Sequence, residues 1–75
     1  MKTTDIIKDV LAERRWSRKK LAEEMGLKRE SNVGVYLDRG SNLRIDTLVK
    51  IADAMGCEIV VRDKFGSNKE WKVSL

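Results

Sequence analysis

The 75-residue chain is short enough for one small domain, and it carries 16 Lys and Arg against 12 Asp and Glu, a net charge of +4. His and Pro are absent and Cys57 is the single cysteine. That excludes an internal disulfide, a zinc site built from Cys and His, and any Ser–His or Cys–His catalytic pair. The remaining carboxylates and lysines are scattered in surface patterns, so no enzyme and no cofactor is expected.

A core of this size rarely supplies more than about 3–5 kcal/mol. Oligomerisation is the natural source of further stability. The basic excess is concentrated early: residues 1–40 hold 10 basic and 7 acidic side chains, and residues 41–75 hold 6 and 5. A basic face on a small domain points weakly toward nucleic acid. No apolar run is long enough to span a membrane. Met1-Lys2-Thr3-Thr4-Asp5 leads into an amphipathic segment and not an apolar signal core. A cytoplasmic location is therefore expected, and a lone thiol fits a reducing compartment.

Thr4 and Asp5 are N-cap candidates for a first helix that ends near Arg15 or Trp16. Ile7, Val10, Leu11 and Arg14 share one helical face, with Ile7 and Leu11 pointing inward. Ser17 caps a second, short helix from about Arg18 to Met25, which Gly26 stops in a positive-φ conformation. Ser31 caps a third helix of about Asn32 to Arg39, ended by Gly40. A fourth runs from about Ile45 to Met55 and closes at Gly56, with Ile45, Leu48, Ile51, Ala52 and Met55 as its apolar face. After Gly56 the period changes to two. Cys57, Ile59 and Val61, then Trp71, Val73 and Leu75, form one apolar face of a β-hairpin whose turn lies between Asp63 and Lys69. A lone hairpin is marginal in water. Packing on the helices, or pairing of its open edges with a second subunit, is expected to support it.

The second and third helices, separated by Gly26 and a brief polar turn, form a helix-turn-helix pattern. Ala22 supplies the small residue that lets the two cross closely. Val33 and Leu37 suit the inner face of the third helix, and Asn32, Val35, Tyr36 and Arg39 remain for its outer face. Trp16 is a core residue by size and position. Lys19, Lys20, Glu23, Glu24 and Glu30 suit ordinary surface charge, Asp38 suits a pair within the fold, and Cys57 suits a structural strand position. Gly34 either permits a close approach or is merely tolerated, and Tyr36 is either half-buried or reaches toward a ligand.

Ser17-Arg18-Lys19-Lys20-Leu21-Ala22-Glu23-Glu24-Met25-Gly26-Leu27, then Leu37-Asp38-Arg39-Gly40, then Ile45-Asp46-Thr47-Leu48-Val49-Lys50-Ile51-Ala52-Asp53-Ala54-Met55-Gly56 together resemble the Cro/C1-type (XRE family) helix-turn-helix regulators. Arg18 stands where that family usually has Gln, and the stretch from Gly26 to Gly40 is longer than usual. The resemblance implies a mainly α, four-helix, lambda-repressor-like domain over residues 1–56, with residues 57–75 as a hairpin packed on it. It implies a transcriptional regulator, in the first instance a repressor, that binds double-stranded DNA as a dimer on a palindromic operator. Arg18 would touch a phosphate. Ser31 and Asn32 would enter the major groove, where Asn can pair with adenine. Val35 and Tyr36 would lie on the same outer face, Val35 against a thymine methyl group. Lys28 and Arg29 would meet phosphate or guanine. Arg39, Asn42 and Arg44 would hold the backbone after the recognition helix.

The hairpin is the expected dimer element, through edge pairing or through Val60 and Trp71. No sensor domain follows within these 75 residues, so control is expected to come from protein concentration or a partner. Two rival functions remain: the antitoxin of a toxin–antitoxin pair, whose partner is a toxin, and a protein-interaction module that keeps the fold without DNA.

Overall fold

The computed structural model describes residues 1–29, 31–38 and 42–75, with the backbone alone at 31 and 32. Among these residues the chain forms α1 (Thr3–Arg14), α2 (Arg18–Glu24), α3 (Ser31–Leu37) and α4 (Ile45–Ala54), then β1 (Ile59–Arg62) and β2 (Glu70–Val73). The expected class is found: mainly helical, with a C-terminal two-stranded antiparallel hairpin.

Three helices end in the same way. Arg15, Gly26 and Gly56 each adopt a left-handed conformation, at φ 58°, 74° and 72°. At each, one N–H bonds back three residues and the next bonds back five: Arg15 to Ala12 and Trp16 to Leu11, Gly26 to Glu23 and Leu27 to Ala22, Gly56 to Asp53 and Cys57 to Ala52. This Schellman arrangement satisfies carbonyls that a helix end would leave bare. In each case the next residue, Trp16, Leu27 or Cys57, packs against the core. The core itself is Ile7, Leu11, Leu21, Ala22, Val33, Leu37, Ile51 and Met55.

The helix starts differ from the sequence reading in two cases: α3 begins at Ser31 itself, the residue expected to cap it, and α1 begins earlier than expected. Ser17 caps α2, its Oγ accepting the Lys20 N–H at 3.0 Å. Thr4 and Asp5 do not cap α1. Lys2 holds that position, and Thr4 lies inside the first turn, 1% exposed, with Oγ1 lacking a partner among the described residues. The first N–H of the helix finds its acceptor far along the chain. Thr3 N–H donates to Asn42 Oδ1 at 3.0 Å, and Thr3 Oγ1 accepts from Leu43 N–H at 2.7 Å.

At the other end of α1, Arg14 Nε donates to the Met55 carbonyl at 2.7 Å, and a second guanidinium nitrogen lies 3.4 Å from Cys57 Sγ. A cation is thereby placed at the C-terminus of α4, where the helix dipole favours it. With Thr3 tied to Leu43 and Arg14 tied to Met55, α1 and α4 run side by side in the same direction. The apolar face of α4 is shifted from the expected one: Val49 is buried, Leu48 is half-buried, and Ile45 is exposed. Ile45 is the first residue of its helix and has no turn before it to pack beneath.

The strands pair Ile59 with Val73, Val60 with Lys72, Val61 with Trp71 and Arg62 with Glu70. Directly opposed residues share a face. Ile59, Val61, Trp71 and Val73 therefore make the single apolar face read from the sequence. Ile59 and Val73, at the end nearest the helices, are half-buried, and Val61 and Trp71 lie further out. No strand residue is buried, Trp71 is 50% and Val61 57% exposed, and the molecule measures 44 × 23 × 22 Å. The pair is held by its own cross-strand contacts, including Arg62–Glu70 at 2.8 Å. At the turn, Asp63 accepts from Phe65 N–H and from the Ser67 hydroxyl.

Candidate nucleic-acid interface

The α2–turn–α3 unit is built on two buried contacts and one polar brace. Ala22, buried in α2, offers no bulk where α3 crosses it, and Val33 and Leu37 drive α3 down onto the core at 1% exposure each. Gly26 then reverses the chain without steric cost. Burial of Val33 and Leu37 fixes the rotation of α3, and Val35 is left 54% exposed on the opposite side. Lys28 and Arg29 are exposed in the turn just before α3.

The polar brace is Arg18. Its two terminal nitrogens donate to the Asp38 carboxylate at 3.0 and 3.3 Å, linking the start of α2 to the residue after α3. The guanidinium holds the Asp38 carboxyl below its usual range, chiefly through the hydrogen bond. Asp38 thus pairs within the fold as expected. Arg18, expected to meet a phosphate, carries this second engagement. A methyl group at Gly34 would rest 3.5 Å from both partners, in ordinary contact.

The remaining sequence-derived residues fall at several places. Arg44 is exposed at the start of α4, 3.4 Å from Asp46. Asn42 is exposed, but its Oδ1 is engaged by Thr3. Tyr36 is half-buried and faces α4, lining a groove with Glu24, Met25, Leu27, Lys50, Asp53 and Ala54. Arg39 and Gly40, and the side chains of Ser31 and Asn32, lie outside the described residues. Val60 and Trp71 sit on opposite faces of the hairpin, Val60 beside Lys72 and Trp71 beside Val61.

Lys20 is drawn to Glu24 at 2.7 Å and lies 5.4 Å from the Trp16 ring centroid, so it serves the surface of α2. Sequence reasoning missed the roles of Thr3 and Arg14. Only the polar placement of Arg14 on an otherwise apolar face hinted at the second. Among the described residues no group of His, Cys, Asp and Glu is set to hold a metal ion. Among the described residues no helix is long and apolar enough to cross a membrane.

Two helices joined by a glycine turn, braced by one helix before and one after, define a helix-turn-helix DNA-binding domain. The profile of the Cro/C1-type HTH DNA-binding domain matches residues 7–60, and the chain belongs to that family. The match takes in α2, α3, α4 and most of α1, and ends two residues into β1. Membership makes the chain a DNA-binding domain of the transcription-regulator class, with double-stranded DNA as its partner. No curated protein and no solved structure matches it.

Proposed function

We propose that this protein is a sequence-specific repressor that binds a palindromic operator as a dimer. The observation that carries the reading is the outer side of α3. Val35 is exposed there, and the exposed cations Lys28 and Arg29 precede the helix, while Val33 and Leu37 hold its other side in the core. Ser31, Asn32 and Val35 read base edges, and Lys28, Arg29, Arg39 and Arg44 meet phosphates or, for the first two, guanine. Arg18 keeps its phosphate role only through the face of the guanidinium not turned to Asp38. Asn42 contributes by position in the loop before α4. Tyr36, half-buried beside the α4 groove, supports α3 from that side and contributes to the DNA surface by its position next to Val35.

One module of this size buries little DNA, so two copies on half-sites about 34–36 Å apart are needed for useful affinity. The hairpin, with Trp71 in its apolar face, joins them. The same exposed face would suit a toxin, which keeps the antitoxin function as the second reading.

Selection from a random duplex pool tests the proposal. An inverted repeat is expected, altered by Asn32→Ala and weakened by Arg29→Ala. No enriched sequence at low salt, with the protein folded, sinks it.

A further inference from the structure

The start of α1 and the segment before α4 hold each other through two hydrogen bonds that run in opposite senses. Thr3 N–H donates to Asn42 Oδ1 at 3.0 Å, and Leu43 N–H donates to Thr3 Oγ1 at 2.7 Å. The first bond fixes more than position. A backbone N–H can only donate, so the Asn42 amide must turn its oxygen to Thr3. The amide nitrogen, with its two N–H donors, is thereby turned away from Thr3. Asn42 is exposed, and its Nδ2 donates to no acceptor among the described residues.

Leu43 packs against the core, and Asn42 and Arg44 on either side of it are exposed. Arg44 has an extended backbone, and its side chain is 85% exposed, with Nε 3.4 Å from Asp46 Oδ1. That carboxylate also accepts the Thr47 N–H, so it is shared with the first turn of α4. A neutral two-proton donor and a cation two residues apart, in a segment that follows α3, suit an anionic oxygen of the DNA backbone. An asparagine amide free to rotate offers a phosphate its oxygen as readily as its nitrogen, and the oxygen is repelled. Holding the amide in one orientation removes that loss before DNA arrives.

We propose that Thr3 is a positioning residue for DNA binding: its N–H orients the Asn42 amide so that Nδ2 donates to a backbone phosphate beside Arg44. The inference rests on the DNA reading of the chain and adds to it a group on α1, outside the helix-turn-helix unit.

Binding of the full chain to a short duplex of arbitrary sequence, followed by fluorescence anisotropy over a salt series, tests it, because a phosphate contact carries no sequence information. Asn42→Asp keeps the oxygen for Thr3 and replaces the nitrogen by a second oxygen. It is expected to weaken binding by about tenfold or more with an unchanged circular dichroism spectrum. Asn42→Ala is expected to weaken it about threefold to tenfold. The salt slope should stay as it is in that variant, because a neutral donor displaces no counterion. Arg44→Ala is expected to lower the slope by about one. Thr3→Pro removes the N–H at the first position of α1, where proline is accommodated and where Lys2 before it is already extended. It is expected to match Asn42→Ala, and to add nothing in the Asn42→Ala background, while Thr3→Ser binds as the wild type does. Asn42→Asp binding as tightly as the wild type overturns the proposal and leaves the DNA reading standing. So does a Thr3→Pro loss that persists undiminished in the Asn42→Ala background. A folded wild type that binds no duplex at low salt overturns the inference and the DNA reading together.

Discussion

Arg15 holds the left-handed conformation at φ 58° that two other helix ends give to glycine. A side chain there costs roughly 1–2 kcal/mol, and glycine returns part of that through a freer unfolded chain. Arg15 is exposed and ends α1 through its backbone alone. Arg15→Gly is therefore expected to stabilise the protein by about 0.5–1 kcal/mol, read as a raised denaturation midpoint in urea. Unchanged or lowered stability would mean that the arginine side chain carries a contact of its own. The residue scale also explains why Thr4 failed as a cap. The local sequence offers it a suitable hydroxyl, but α1 starts where Asn42 and Leu43, about forty residues away, meet Thr3. A distant partner overrode a local preference.

At the scale of elements, the α2–α3 unit depends on one small residue, one glycine turn and the Arg18–Asp38 brace. Gly34 lies between them with space for one methyl group, 3.5 Å from Arg18 and Asp38. Glycine inside a helix costs roughly 1 kcal/mol relative to alanine. Gly34→Ala is expected to stabilise the fold by about 0.5–1 kcal/mol in chemical denaturation. A destabilised variant would show that the brace cannot yield. Most of this unit was legible in the sequence. Ser17, Ala22, Gly26, Val33 and Leu37 all do what their spacing and chemistry suggested. The face of α4 was less legible, because a helical wheel treats Ile45 and Ile51 alike. Only the neighbours decide that the first is exposed and the second buried.

At the scale of the whole molecule, two carboxylates tie surface segments together. Asp38 is held below the ordinary carboxylate value of 3.8 by the Arg18 hydrogen bond. Asp63 is held below it by the Ser67 hydroxyl and the Phe65 N–H. A carboxyl whose pKa is lowered by folding adds stability above its unfolded value, and that stability is lost as pH falls through the folded one. The denaturation midpoint is therefore expected to be flat from neutral pH down to about pH 5 and to fall below about pH 4. Asp38→Asn should flatten that decline. An equally steep decline in the variant would assign the effect to other carboxyls. Both groups are solvent-exposed, so the effect on stability is small.

The sequence by itself determined the helical order, the stops at Gly26 and Gly56, the cap at Ser17, the inner face of α3 and the alternation of the hairpin. Each follows from short-range chemistry: a hydroxyl reaching three residues on, a missing Cβ, a period of 3.6 or 2. The sequence also carried the family, because the motif quoted from Ser17 to Gly56 lies within the matched residues 7–60. Tertiary structure alone decided what bridges distant segments. It set Arg18 on Asp38, Arg14 on Met55 and Thr3 on Asn42, turned Tyr36 toward α4, and left Val61 and Trp71 of the hairpin's apolar face exposed. These outcomes depend on which surfaces meet after the helices pack. Pairing across twenty to forty residues leaves no periodic trace along the chain.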